Sequence, residues 1–316
     1  LPWGKLICSK KDPMSSLKLS KDMLNERILL PLNFCIIYFV WGMTYIWMKT
    51  ATVDLHPFVI NFWQNFIAAT ALLAFNFNKS FFTFFKTHFF TIISQSFFML
   101  ILGVSFITIS VQKLPASFAA VIISSVPIWV ALFNAISERS IPLRNLIGLI
   151  LGVVGIAFLV QIELAQYESS LYLVILLIAA LSWSYGLYRM PRLPIVNQPY
   201  LSSAAQMFIA ALAYLLISLF SFPTSSLISH NASTITSLFC LAILGSTIAF
   251  SSLNWLLKHS SPVKVSTYAY INPLVSILMA WLLLGEEFKS EQIPYIILIL
   301  FSVFIIVSDN KPRSSK

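Results

Sequence analysis

Residues 41–73 read WGMTYIWMKTATVDLHPFVINFWQNFIAATALL, and residues 183–215 read WSYGLYRMPRLPIVNQPYLSSAAQMFIAALAYL. The two stretches align without a gap at an offset of 142 residues, and both pass from one apolar run into the next. The matched identities are Trp41 with Trp183, Pro57 with Pro199, and Gln64 with Gln206. Apolar composition alone rarely places Trp, Pro and Gln in the same register. The alignment therefore indicates an internal duplication.

The composition is that of a membrane protein. Of 316 residues, 58% are hydrophobic and 10% are charged, and the mean hydropathy is +0.86. A water-soluble domain cannot bury so large an apolar fraction in one core, so the bilayer is the expected solvent. The net charge of +9 is spread between apolar runs instead of forming one basic surface, which argues against nucleic acid as a partner.

Ten apolar runs are each near the length that a membrane-spanning helix needs. They cover residues 29–49, 57–77, 88–110, 115–136, 145–162, 171–189, 200–222, 236–257, 262–284 and 293–308. Proline stands at or beside the start of five runs, where its missing N–H costs nothing: Pro57, Pro115, Pro199, Pro262 and Pro294. We therefore predict an all-α integral membrane protein with ten transmembrane helices.

The distribution of Lys and Arg predicts the orientation. If both termini are cytoplasmic, all but three of the 20 Lys and Arg residues lie on the cytoplasmic side, and the exceptions are Lys49, Lys113 and Lys289. A miscount of one helix would mix the two sides. The sequence thus predicts a multi-pass protein of the cell inner membrane with its N-terminus and C-terminus in the cytoplasm.

The duplication divides the chain into two halves of five helices. We predict a first repeat over residues 29–162 and a second over residues 163–308, flanked by polar cytoplasmic tails at 1–28 and 309–316. Because five is an odd number, the second repeat enters the membrane from the opposite side. The two repeats are therefore expected to be inverted relative to each other.

Several short motifs resemble a known family. They are a Trp-Gly pair in the first helix (Trp41, Gly42), a proline near the middle of helices four and nine (Pro127, Pro273), and Leu284-Gly285-Glu286 at the end of helix nine. Over residues 29–308 the chain resembles the EamA branch of the drug/metabolite transporter superfamily. That resemblance implies a ten-helix carrier of small organic metabolites, often an exporter of amino acids or related compounds.

The two prolines are candidates for gating. Pro127 and Pro273 each deprive the carbonyl four residues earlier, at Ile123 or Ala269, of its helical donor. Paired breaks at corresponding places in two repeats are typical of a substrate site in a carrier. The alternative is a pair of kinks that only shape helix packing.

A polar stripe recurs in both halves. Ser105 and Gln112 lie seven residues apart on one face of helix three, and the offset carries them to Thr247 and Asn254 in helix eight. Such residues either bond a neighbouring helix or line a water-filled cavity, and the pattern does not choose between these.

Further candidate substrate contacts flank the prolines. Tyr268, Asn272 and Ser276 share one face of helix nine beside Pro273. Ser124 lies three residues before Pro127 in helix four.

Four aromatic residues complete the predicted substrate site. Trp41 and Tyr45 in helix one, with Trp183 and Tyr188 in helix six, could stack on an organic substrate or attract a cation to their ring faces. Aromatic residues are also common as interface anchors and in packing.

Gly148 and Gly152 form a GxxxG face in helix five that favours close helix approach. It could support a dimer, but helix ten lacks matching glycines, so we favour packing within a monomer.

No Asp, Glu, Lys or Arg lies near the middle of any predicted span, and no nucleotide-binding loop, metal-binding His pair or nucleophile motif is present. We therefore expect no metal, no cofactor and no enzymatic activity. The leading hypothesis is a secondary carrier that works by alternating access. The alternatives are a non-transporting membrane receptor or assembly protein, and a membrane-embedded enzyme.

Overall fold

The computed structural model describes residues 13–76, 79–138, 142–164, 170–221, 228–229, 231–285 and 290–307. Within these ranges all regular secondary structure is helical. The predicted C-terminal tail, residues 309–316, lies outside them.

The long helices of the described chain, some of them interrupted, follow one another in the order α1 to α10. Their bounds are α1 (Pro13–Ala51), α2 (Pro57–Asn76), α3 (Phe89–Lys113), α4 (Ala116–Ile123 and Val126–Glu138), α5 (Leu143–Leu164), α6 (Ser170–Arg189), α7 (Pro199–Ser221), α8 (Ala232–His259), α9 (Pro262–Ser266 and Tyr268–Leu284) and α10 (Ile293–Val307). A short helix, Lys79–Thr87, precedes α3. Within the described ranges, the predicted apolar runs lie almost entirely on these helices.

Among the described residues, eight helical segments are long and apolar enough to cross a membrane, one in each of α1–α4 and α6–α9. The apolar stretches in α5 and α10 are shorter, at Leu143–Gly155 and Ile293–Ile306. The candidate span in α1 begins at Arg27, although the helix itself starts at Pro13 and so runs through part of the predicted N-terminal tail.

The outer surface is apolar. Phe39, Phe90 and Phe220 are 63%, 83% and 88% exposed. In water, a protein with so apolar a surface would tend to aggregate, whereas the hydrocarbon core of a bilayer solvates that surface well. The exposed aromatic side chains on the outer surface are therefore suited to contact with lipid.

Packing partners correspond between the halves. α1 lies against α8 and α9, while α6 lies against α3 and α4. α2 packs on α7 and α5 packs on α10. The duplicated Phe-Ile-Ala-Ala segments supply Ala68 and Ala69 in α2 and Ala210 and Ala211 in α7, and all four alanines are buried. Small residues let two such helices approach closely.

Two helices contain a π-helical segment of eight residues. The segment is Phe97–Val104 in α3 and Leu241–Ile248 in α8. The wider π-helical turn is rare and often occurs at functional sites. These segments hold Gly103 and Gly245, which are related by the same offset of 142 residues as the tryptophans.

The breaks in α4 and α9 do not lie at the prolines themselves. α4 is interrupted at Ser124 and Ser125, so Pro127 is the second residue of its second part. In α9 the interruption is at Thr267, and Pro273 lies inside the following helix. Proline is well tolerated in a first helical turn because its missing N–H has no acceptor there, which accounts for Pro127.

Candidate functional site

A cavity lies among the middle portions of eight helices. All helices except α5 and α10 contribute side chains to its wall. The lining residues are Trp41, Thr44, Tyr45, Met48, Gln64, Leu100, Val104, Ile107, Ile123, Trp183, Met207, Gly245, Ser246, Phe250, Tyr268 and Asn272. α1 contributes four residues at helical spacing, so one face of that helix forms one side of the cavity.

The cavity volume is about 70 Å³. That is room for a few water molecules. A metabolite therefore fits only if side chains or helices of the wall move apart.

Three aromatic rings meet at the centre of the wall. The ring centroids of Trp41 and Tyr268 are 4.6 Å apart at an interplanar angle of 74°, and those of Trp41 and Trp183 are 5.6 Å apart at 79°. Both pairs have the edge-to-face geometry that aromatic quadrupoles favour. The Trp183 indole N–H donates to the Tyr268 hydroxyl. The centre of the cavity thus joins α1, α6 and α9.

Each tryptophan contacts the π-helical segment of the other half. The Trp41 Nε1–H donates to the Gly245 carbonyl oxygen at 2.9 Å. A Cβ added to Gly103 would lie 3.3 Å from the Trp183 ring and 3.2 Å from the Phe98 carbonyl oxygen. Glycine at position 103 therefore allows the close contact with Trp183, whereas a Cβ on Gly245 would lie 2.9 Å from Cγ2 of Thr44.

The packing of α1 on α9 explains the Trp-Gly pair at residues 41 and 42. A Cβ on Gly42 would overlap the Val275 side chain and lie 3.2 Å from the Asn272 carbonyl oxygen. Gly42 thus lets α1 approach α9, while Trp41 next to it projects to the cavity wall.

The polar groups of the wall are neutral. The Gln64 side-chain nitrogen donates to the Ser246 hydroxyl at 2.8 Å. With its amide oriented to meet acceptors, Asn272 donates to the carbonyl oxygens of Tyr268 at 3.0 Å and Tyr38 at 3.2 Å. The Thr44 hydroxyl donates to the Trp41 carbonyl at 2.7 Å. None of the lining residues carries a charge at neutral pH.

The EamA-like transporter family matches this sequence twice, over residues 30–161 and 170–308. The chain belongs to this family. It is therefore a membrane transporter, and members of the EamA-like family are generally not enzymes.

Two relatives of similar sequence are also named as transporters. YedA of Escherichia coli K12, an uncharacterized inner membrane transporter, is 24% identical over 283 residues, which cover 89% of this chain and 92% of YedA. YoaV of Bacillus subtilis, an uncharacterized transporter, is 22% identical over 271 residues, covering 84% of this chain and 92% of YoaV. A solved crystal structure superimposes with a TM-score of 0.71 at 15% identity, over 87% of this chain and 94% of the other, and it shows the fold alone.

Five of the predicted contact residues of this EamA-like transporter line the cavity. They are Trp41, Tyr45, Trp183, Tyr268 and Asn272. They come from three helices that the sequence places far apart, α1, α6 and α9.

The predicted polar stripe lies outside the cavity wall. Ser105 donates to the Ile101 carbonyl at 2.5 Å and bonds the Tyr214 hydroxyl at 2.9 Å. Asn254 donates to the Ser203 hydroxyl at 2.8 Å. Both residues therefore link the helices of the EamA-like bundle, α3 to α7 and α8 to α7.

The other two stripe residues also lie outside the cavity wall, one bonded within its own helix and the other accepting a bond through its main-chain carbonyl. Thr247 donates to the Ala242 carbonyl within α8 at 2.9 Å. The Gln112 carbonyl oxygen lies 3.4 Å from the Lys49 ammonium nitrogen.

Three further predicted contacts also lie away from the cavity. Ser124 and Ser276 are fully buried, and Ser124 donates to the Val121 carbonyl. Tyr188 packs beneath the Arg192 guanidinium, whose carbon lies 4.1 Å from the ring centroid.

Several wall residues were absent from the predicted set. Ser246 follows Gly245, the glycine that the duplication pairs with Gly103, and that register could have identified it. Gln64, which the duplication pairs with Gln206, both bonds Ser246 and lines the cavity. Phe250 carries no sequence signal that distinguishes it from other buried phenylalanines.

The glycine face of α5 packs against other helices of the same EamA-like chain. A Cβ on Gly148 would lie 2.6 Å from an Ile306 side-chain carbon, and one on Gly152 would lie 2.7 Å from the Tyr270 ring. These contacts with α10 and α9 account for both glycines without a second copy of the chain.

Proposed function

We propose that this EamA-like protein is a secondary carrier that moves small organic metabolites, amino acids or related compounds, through the central cavity. Transport proceeds by alternating access of two inverted five-helix repeats, residues 29–162 and 163–308. The direction is export from the cytoplasm across the inner membrane.

One observation carries this proposal. The cavity is built from corresponding elements of both halves, because Trp41 contacts the π-helical segment at Gly245 and Trp183 contacts the one at Gly103. A pair of equivalent contacts on opposite halves supports a mechanism in which the halves exchange conformations. The match of one family to residues 30–161 and again to 170–308 supports the same division.

The narrow cavity supports alternating access in a second way. A volume of about 70 Å³ holds a few waters but no metabolite. Substrate therefore binds in a conformation in which the wall has opened. The α4 interruption at Ser124 and Ser125 and the α9 interruption at Thr267 are the places where the helices can bend, and Pro127 and Pro273 are the proposed gating residues.

The proposed topology has both termini in the cytoplasm. Single cysteines introduced in residues 1–27, in the loop of the 190s and in 309–316 should react with an impermeant thiol reagent only from the inside. Cysteines near Glu163 and Glu286 should react only from the outside. A C-terminus that reacts from the outside contradicts the topology.

We propose that the functional unit is a monomer, since Gly148 and Gly152 pack against the same chain. The test of function is solute flux in vesicles that contain only the purified protein, with a panel of metabolites. Flux that depends on the protein supports the carrier. Vesicles that pass none of the panel support the alternative of a receptor or assembly protein.

A further inference from the structure

We infer that the cavity selects organic ammonium ions bearing an apolar group over organic carboxylates. This inference rests on the proposed function, since it assigns a substrate class to the same cavity, and it narrows the range of metabolites proposed above.

The first support is the electron-rich wall. Trp41, Tyr45, Trp183, Phe250 and Tyr268 all line a cavity of small volume. Aromatic ring faces are negative, so they attract a cation, most strongly where water is excluded. The same faces repel a carboxylate.

The second support is that the N–H donors of the wall are already engaged. Trp41 donates to the Gly245 carbonyl at 2.9 Å, and Trp183 donates to the Tyr268 hydroxyl. Gln64 donates to Ser246 at 2.8 Å. A carboxylate entering the cavity must take an N–H away from one of these acceptors or rely on a hydroxyl group of the wall or the second N–H of Gln64.

Asn272, the remaining amide donor, is engaged as well. Its nitrogen meets two main-chain carbonyls, those of Tyr268 and Tyr38, at 3.0 and 3.2 Å. These bonds tie α9 to α1, so a ligand that captured this amide would loosen the contact between the two helices.

The third support is an acceptor without a donor. The Gln64 side-chain oxygen is buried and has no hydrogen-bond partner among the described residues. A buried carbonyl oxygen without a hydrogen bond is destabilising, and a ligand N–H group that bonds it removes that penalty. The site therefore offers an acceptor where a carboxylate requires a donor.

The nearest cationic side chain on α1 is directed elsewhere. Lys49, one turn beyond Tyr45, donates to the carbonyls of Val111 at 3.1 Å and Leu114 at 3.0 Å at the end of α3. Carbonyls at a helix C-terminus carry partial negative charge and stabilise an ammonium group there. Lys49 thus stabilises the C-terminal end of α3. No residue that lines the cavity supplies a positive charge to bind a carboxylate.

The test compares three ligands that share a phenyl group and a two-carbon linker. They are 2-phenylethylammonium, the neutral 3-phenylpropanamide and the anionic 3-phenylpropionate. Equilibrium binding to the purified full-length protein is measured by calorimetry. We expect the ammonium ion to bind about tenfold or more tightly than the carboxylate, because the cation–π attraction alone is of that size. The amide should fall between them.

Gln64 supplies the matched variants. Gln64→Leu should weaken ammonium binding several-fold and change carboxylate binding little, because it removes the unpartnered acceptor oxygen, whereas the amide donor that it also removes is bonded to Ser246. Gln64→Glu, measured at pH 8, should widen the preference for the ammonium ion. Gln206→Leu is the control, because Gln206 is the duplicated residue in α7, is buried, bonds Ser202 in its own helix and does not line the cavity.

The outcomes separate the two proposals. Equal or tighter binding of the carboxylate overturns the inference, as does failure of all three ligands to bind. In either case the proposed function stands if another solute shows protein-dependent flux. Absence of flux for every solute, together with selective ammonium binding, contradicts the carrier and leaves the ligand class in place.

Discussion

The indole nitrogen of Trp41 lies 2.9 Å from the carbonyl oxygen of Gly245, so a residue in the first half of the chain is bonded to the π-helical segment of the second. Trp183, its counterpart at the offset of 142, lies against Gly103 but gives its N–H to Tyr268 instead. The two equivalent contacts therefore differ in their hydrogen bonds. In a carrier whose two halves exchange conformations, this difference in hydrogen bonding would be reversed between the two states.

The close contact at Gly245 predicts the effect of adding a methyl group. A Cβ there would lie 2.9 Å from Cγ2 of Thr44. Gly245→Ala should destabilise the protein by about 1–3 kcal/mol through overpacking and reduce flux in proportion. The measurement is thermal unfolding of the purified protein together with flux in vesicles.

Thr44→Ser is the rescue variant for Gly245→Ala. It removes Cγ2 and keeps the hydroxyl that bonds the Trp41 carbonyl. The double variant should regain most of the lost stability. A double variant as unstable as Gly245→Ala would show that the contact is not the cause.

Two tyrosines of α9 predict opposite outcomes for the same substitution. The Tyr268 hydroxyl accepts from Trp183 in the cavity wall. Tyr268→Phe keeps the ring and removes this bond, so flux should fall about fivefold, the equivalent of roughly 1 kcal/mol. The Tyr270 hydroxyl is buried and unpartnered among the described residues. Tyr270→Phe should therefore leave flux unchanged and stability equal or higher. Equal losses in both variants would contradict a special role for Tyr268.

His56 predicts a pH dependence of stability. Burial lowers the pKa of His56 from its ordinary value of 6.5. The unfolded chain therefore binds a proton at a higher pH than the folded protein does, and the folded state loses stability as the pH falls below 6.5. The unfolding temperature of the wild type should fall more steeply below that pH than the temperature of His56→Gln. Parallel curves for the two proteins would mean that His56 is not the group responsible.

The helices were predictable because membrane insertion depends on composition. Each span requires a long apolar run, and Pro57, Pro199 and Pro262 mark helix starts in both the sequence and the structure. The family was predictable from Trp41-Gly42 and the paired prolines, since a short motif reflects a local packing requirement such as the contact of Gly42 with Val275.

The division between cavity and packing was not predictable. Ser105 and Asn254 have the same polarity and spacing as true cavity residues, and only the position of Tyr214 and Ser203 on α7 shows that they bond a neighbouring helix. The π-helical segments left no signal either, because the same apolar residues form an α-helix elsewhere in the chain.

The prolines predict the motion of the two halves. Pro273→Ala adds an N–H donor inside α9 and should stiffen that helix, whereas Pro127→Ala removes the ring that fixes φ in the first turn after the α4 interruption and should change how α4 bends there. Both variants should slow flux and favour states that open to opposite sides. The measurement is reagent access to a cysteine at Ser246, which lines the cavity, since Ser124 is fully buried. A shift to the same side in both variants, or no shift, would leave the prolines as packing kinks.

The central claim is that one cavity, lined by Trp41, Tyr268 and Ser246, opens in turn to each side of the membrane. The direct measurement uses Ser246→Cys in a chain whose own cysteines are replaced by serine. An impermeant thiol reagent is added to one side of sealed vesicles at a time. The account predicts labelling from both sides, slowed from either side by a solute that the protein transports. Labelling from one side only, or labelling that no transported solute slows, would contradict it.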